Sequence, residues 1–190
     1  MPLLILGLVL FLGVHSVAIV SPQFRARTTQ RLGEGAWKGL YSLISLVGFV
    51  LICHGFGLAR QAPVVLYSPP TWLRHLALLI MLPVFPLLFA AYLPGRIKTA
   101  AKHPMLAAVK FWALAHLLAN GSLADVLLFG GFLVWAVADR ISVKRRPALR
   151  VVRTAPPRAW NDAVAVVLGL GVYVLFIGWA HARLFGVSPL

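Results

Sequence analysis

Six apolar stretches approach the length of a membrane-spanning helix, and this pattern constrains the fold more than any other feature of the sequence. A helix rises about 1.5 Å per residue, so crossing a hydrocarbon core about 30 Å thick takes roughly 20 mostly apolar residues. The stretches lie at about 2 to 20, 38 to 59, 72 to 93, 104 to 119, 122 to 139 and 160 to 184. We therefore expect an all-α, polytopic integral membrane helical bundle of about six transmembrane helices, forming a single domain over residues 1–190.

The composition and the charge pattern indicate a lipid bilayer as the main partner. Hydrophobic residues make up 61% of the chain, whereas soluble proteins contain about half. The net charge of +14 would suit nucleic-acid binding, but the basic residues occupy short runs between the apolar stretches and form no folded basic face. The sequence therefore predicts a membrane protein that binds no nucleic acid.

Lysines and arginines are concentrated in the first, third and fifth loops between these stretches. By the positive-inside rule these loops are cytoplasmic, and with six spans both termini lie on the opposite side of the membrane. The most basic loop, "KRRPALRVVRTAPPRAW" at 144–160, is better explained as a solvated loop that sets topology than as a specific site for anionic lipid or for a partner.

Histidines are the candidates for chemistry, because at least four of the six lie within a predicted span or at its edge. Ionisable groups at membrane depth usually face the bundle interior and mark functional sites. The alternative is a histidine that only forms a hydrogen bond across a helix interface. We favour this structural role for His75 and His181, and both roles stay open for His54.

His15 and His116 stand out by their surroundings. His15 lies among small residues in "GVHS", and His116 has Trp112 one turn before it and Asn120 one turn after it on one helical face. Cys53 is the only cysteine and no carboxylate cluster exists, so histidine would have to hold any metal almost alone. Two neutral imidazoles from different helices suit axial ligation of a haem iron, because the porphyrin supplies the other four donors. Structural histidines are the alternative.

Four motifs together resemble the NnrU family of bacterial membrane proteins, which is related to the plastid 15-cis-zeta-carotene isomerase. They are "GVHS" in the first span, "KHPML" opening the fourth, "WALAHLLANG" ending it and "FGGFLVWAVADRISVKRR" in the fifth. The resemblance covers roughly residues 1 to 180. It implies a six-helix protein of the bacterial inner membrane, and with the predicted topology both termini are periplasmic.

The resemblance also implies a cofactor, haem b. In the isomerase branch, haem b is associated with the histidine of the HS motif and with that of the W-x-L-A-H motif, which carry over to His15 and His116. Trp112 and Asn120 are included in the predicted cofactor site. Two weaker ligand candidates are His103, in the position of an R-H-P histidine, and His54, an approximate match to a second-span histidine. Ala113 replaces a cysteine of the isomerase branch.

The implied function is in nitric oxide or nitrite (denitrification) metabolism, or a related redox or isomerisation reaction on a hydrophobic or small gaseous substrate. No catalytic residue is assigned, and enzymatic activity stays open. One alternative is an S-adenosylmethionine-dependent membrane methyltransferase, in which an H-P step also precedes a helical hairpin. Those enzymes carry a glutamate-rich stretch near the C-terminus, whereas Glu34 is the only glutamate here. A non-catalytic membrane factor without a cofactor is the third possibility.

Overall fold

Apolar helices dominate the computed structural model, which describes residues 1–145 and 154–190. In chain order the helices are α1 (Pro2–Val20), α2 (Pro22–Leu32), α3 (Glu34–Ala59), α4 (Thr71–Met81), α5 (Val84–Tyr92), α6 (Arg96–Ala101), α7 (Pro104–Ala119), α8 (Leu123–Val143), α9 (Asn161–Leu175) and α10 (His181–Phe185). Within the described residues, five spans are long and apolar enough to cross a membrane, and α7 is a shorter apolar helix. The predicted all-α polytopic fold is confirmed.

Two helices lie where the sequence analysis placed loops. Pro22 occupies the first position of α2, and the Ser21 hydroxyl caps the helix by accepting a hydrogen bond from Phe24 N at 3.3 Å. The six-residue α6 carries basic residues of the third loop. Neither helix has an apolar run, so a search for spans does not detect them. Residues 146–153, most of the basic stretch predicted for the fifth loop, lie outside the described residues.

Two of the spans are not continuous α-helices. The third span is divided into α4 and α5 at Pro83, which lacks the N–H that would continue the helical hydrogen-bond ladder. The last span, Asn161–Phe185, contains a π-helical segment at Phe176–Ala180 between α9 and α10. Such segments insert one extra residue into a turn and shift the side chains that follow.

The described residues divide into two units, each with its own packing. Unit 1 contains Met1–Tyr67 and Gly121–Arg145, and so holds α1, α2, α3 and α8. Unit 2 contains Ser68–Asn120 and the residues from 154 onward, and so holds α4 to α7 with α9 and α10. The single domain over 1–190 stays a prediction.

In unit 1, α1 packs along α3 with the two backbones in contact, and α8 also packs on α1. A Cβ atom at Gly7 would lie 2.6 Å from the backbone N of Ile52, and one at Gly48 would lie 2.8 Å from the backbone N of Phe11. Real Cβ atoms do not approach so closely, so the pairing requires glycine at both positions. Small residues that allow backbone approach are typical of helix pairs in membranes.

In unit 2, α7 packs against α4 and α5, and α9 packs against α5. The core cluster contains Val84, Leu87 and Ala108. Ala115, a second small residue of α7, is also buried. The hydroxyl of Tyr173 on α9 donates a hydrogen bond to the carbonyl of Leu78, at 2.9 Å. This bond satisfies a polar group that would otherwise be costly in an apolar interior.

Candidate functional site

His15 lies on α1 within an aromatic cluster of unit 1. Its ring stacks on Phe11, with centroids 4.2 Å apart and 24° between the planes. The ring of Tyr41 on α3 lies 5.1 Å away, and that of Trp135 on α8 meets it edge-on at 5.9 Å. Phe132 extends the cluster by packing on Phe11 at 5.6 Å. Side chains from three helices thus surround a single imidazole.

A backbone carbonyl of the same helix orients the His15 ring. Nδ1 of His15 lies 2.7 Å from the carbonyl oxygen of Phe11. Because a carbonyl can only accept, Nδ1 carries the proton, and the neutral ring keeps its lone pair on Nε2. Nε2 has no hydrogen-bond partner among residues 1–145 and 154–190. Metal-bound histidines are commonly held in this tautomer by such a carbonyl.

Trp135 adds an unsatisfied donor beside His15. Its indole Nε1 is buried and has no hydrogen-bond partner in the part of the chain that the structure describes. A buried N–H without an acceptor costs about 1–3 kcal/mol. An acceptor on a molecule bound next to this indole would remove that cost.

His116 lies on α7 in unit 2 and is oriented in the same way as His15. Its Nδ1 lies 2.8 Å from the carbonyl oxygen of Trp112, whose ring is 5.3 Å from the imidazole. Asn120 Nδ2 donates to the carbonyl of His116 at 2.9 Å. Trp112 and His116 lie one turn apart on α7 with their rings in contact, whereas Asn120 has an extended backbone and ends the helix. Their binding of a cofactor stays a prediction, as does that of His15.

The other histidines differ from these two. His54 and His75 are exposed, and Nδ1 of His181 lies 2.7 Å from the carbonyl of Val187 beyond the last helix. His103 occupies the position before the first residue of α7, and its side chain forms no capping hydrogen bond to that helix. Among the described residues, no three His, Cys, Asp or Glu side chains group so that they could hold a metal ion.

The sequence alone does not identify Phe11, Tyr41 or Trp135 as neighbours of His15. Phe11 could have been found, because it precedes His15 by four residues on a helix. Trp135 lies in the motif "FGGFLVWAVADRISVKRR", but nothing in that motif points to His15. Tyr41 carries no local signal, since only the packing of α3 on α1 brings it close.

Nearly the whole chain matches the model of one protein family. The family model described as NnrU protein matches residues 3–189, which include both units and both oriented histidines. None of the curated proteins or solved structures compared with the chain matches it. Because the match extends over nearly the whole chain, the protein belongs to the NnrU family.

Proposed function

We propose that this NnrU protein binds haem b, with His15 and His116 as its candidate iron ligands, and acts in nitric oxide or nitrite metabolism. One observation carries the proposal: in both rings Nδ1 is bonded to the carbonyl of the residue one turn earlier. In a neutral ring this leaves Nε2 as the lone-pair nitrogen, the form required for binding iron.

The residues around His15 suit a large aromatic cofactor. Phe11, Tyr41 and Trp135 provide aromatic surface, and the unpartnered Nε1 of Trp135 would offer a donor to an acceptor on a bound cofactor. Few protein ligands would be needed, because the porphyrin itself supplies four donors to the iron. When bound, haem would supply one-electron chemistry.

The chain's own residues have defined roles in this proposal. His15 and His116 would be the iron ligands, each within its own unit, and the carbonyls of Phe11 and Trp112 hold the two rings in the required tautomer. Asn120 is a positioning residue, since its amide bonds the backbone of His116. Apolar helices limit the access of water and of charged solutes, which favours nitric oxide, a small uncharged molecule, over the nitrite anion.

An optical spectrum of the purified protein tests the proposal. Protein from haem-sufficient cells should show a Soret band, with α and β bands that sharpen on reduction, as expected for low-spin iron with nitrogen ligands. His116→Ala should abolish or strongly weaken haem binding. His15→Ala should abolish it or leave a five-coordinate, high-spin iron.

His75→Ala and His181→Ala are the matched controls, and both should leave the spectrum unchanged. The His181 control is the more demanding one, because its Nδ1 is also bonded to a carbonyl. A colourless wild-type protein despite adequate haem supply would refute the proposal. Calorimetry with S-adenosylmethionine would then separate a methyltransferase from a factor without a cofactor.

A further inference from the structure

A shallow cavity of about 790 Å³, wide open to the outside, lies in unit 2 between α6 and the segment that precedes α9. Its lining includes three basic side chains, those of Arg96, Lys98 and Arg158, and the hydroxyl-bearing Thr99. Within the described residues no acidic side chain lines it. The cavity therefore presents a concentrated positive charge to anything that enters it.

Hydrogen bonds from the start of α9 hold the walls of this cavity in place. Asn161 is 3% exposed, and its Nδ2 donates to the carbonyls of Pro94 at 2.8 Å and Pro156 at 3.0 Å. The carboxylate of Asp162 accepts hydrogen bonds from the first two backbone N–H groups of α6, at 2.7 and 3.1 Å. Both sides of the cavity are thus hydrogen-bonded to the start of α9, so a ligand would meet a preformed site.

The basic side chains retain donors for a ligand. Lys98 Nζ donates to the carbonyl of Ala91 at 2.8 Å, and an ammonium group has two further N–H donors. The guanidinium of Arg158 lies over the ring of Trp160, 5.1 Å from its centroid, which leaves the donors at its edge available. Arg96 has no side-chain partner among residues 1–145 and 154–190.

The surroundings of the cavity point to a lipid. It lies where α5 and α9, both parts of candidate spans, reach their ends at Tyr92 and Trp160. Both aromatic side chains are exposed, and such residues are enriched at the headgroup level of membranes. Val167, further along α9, is also exposed and offers apolar surface for an acyl chain.

We propose that this cavity binds the phosphate group of an anionic membrane phospholipid. Arginine and lysine form charge-assisted hydrogen bonds with phosphate oxygens, and basic pockets between transmembrane helices bind the headgroups of such lipids. This binding is independent of the haem proposal, since it uses none of the same residues.

Native mass spectrometry of the full-length protein in a neutral detergent tests the proposal, with phosphatidylglycerol titrated against phosphatidylcholine of the same acyl chains. The wild type should retain one phosphatidylglycerol in preference to phosphatidylcholine. Arg96→Gln combined with Arg158→Gln should weaken this retention roughly tenfold or more. Both side chains are exposed, so the core packing is unaffected. Lys98 stays unchanged because it bonds to Ala91.

The matched control removes the same charge from α2, by Arg25→Gln combined with Arg27→Gln, and should retain the lipid as the wild type does. An equal loss in both double variants would overturn the proposal, because the effect would then come from the overall charge. Equal retention of phosphatidylcholine would also overturn it. Full displacement of the lipid by millimolar inorganic phosphate would identify a site for a free anion and refute the lipid assignment.

Discussion

Gly7→Ala should destabilise the protein by preventing the close approach of α1 and α3. The added Cβ would lie 2.6 Å from the N of Ile52 and 2.9 Å from both the O of Gly48 and the C of Leu51. All three are backbone atoms, so no side-chain rotation relieves the contacts. Reaching an ordinary van der Waals distance requires the helices to separate by about 0.8 Å, which weakens packing along the pair.

The magnitude follows from two opposing effects. Overpacking of a well-packed interface costs typically 1–3 kcal/mol, whereas replacing glycine by alanine within a helix favours the helix by about 1 kcal/mol. Because the contacts involve rigid backbone, we expect a net loss of about 2 kcal/mol in the free energy of unfolding. Gly13→Ala, on the same helix, is the matched control, since a Cβ there meets nothing within 4 Å.

Titration of the purified protein with SDS in mixed micelles measures these free energies of unfolding. The expected result is a lower midpoint for Gly7→Ala and an unchanged or higher one for Gly13→Ala. If Gly7→Ala were as stable as the wild type, or if both variants lost stability equally, the inferred backbone contact between α1 and α3 would be wrong.

Three further predictions concern other parts of the chain. Asp125 accepts hydrogen bonds from the backbone N and hydroxyl of Ser122 in a capping box at the start of α8. Asp125→Asn keeps an acceptor and should leave folding and haem content nearly unchanged, whereas Ser122→Ala should lower the free energy of unfolding by about 1 kcal/mol. A loss of haem in Asp125→Asn would instead place this residue in the haem site. Asn161→Ala removes the donor to two carbonyls and should lower the free energy of unfolding by about 1–3 kcal/mol, which a thermal melt in detergent would show as a lower midpoint. An unchanged midpoint would contradict a stabilising role for these two hydrogen bonds. Reporter fusions should place the first, third and fifth loops in the cytoplasm and the C-terminus in the periplasm, and a cytoplasmic C-terminus would reverse the predicted topology.

Features that depend on local pattern can be predicted from the sequence. The apolar stretch predicted at 104 to 119 coincides with α7, Pro104–Ala119, because a chain in lipid has to satisfy its backbone hydrogen bonds within each helix. The ring contact between Trp112 and His116 follows in the same way from helical periodicity. Hydropathy missed α2 and α6, since neither helix contains an apolar run.

Tertiary structure alone decided which distant residues meet. Tyr41 and Trp135 reach His15 only because α3 and α8 pack on α1, and this packing depends on backbone contacts at glycines whose partners lie some forty residues away. Asp162 likewise bonds to the start of α6 from 66 residues further along the chain. Periodicity specifies which side of a helix is apolar, but the complementarity of two helix surfaces decides which neighbour that side contacts.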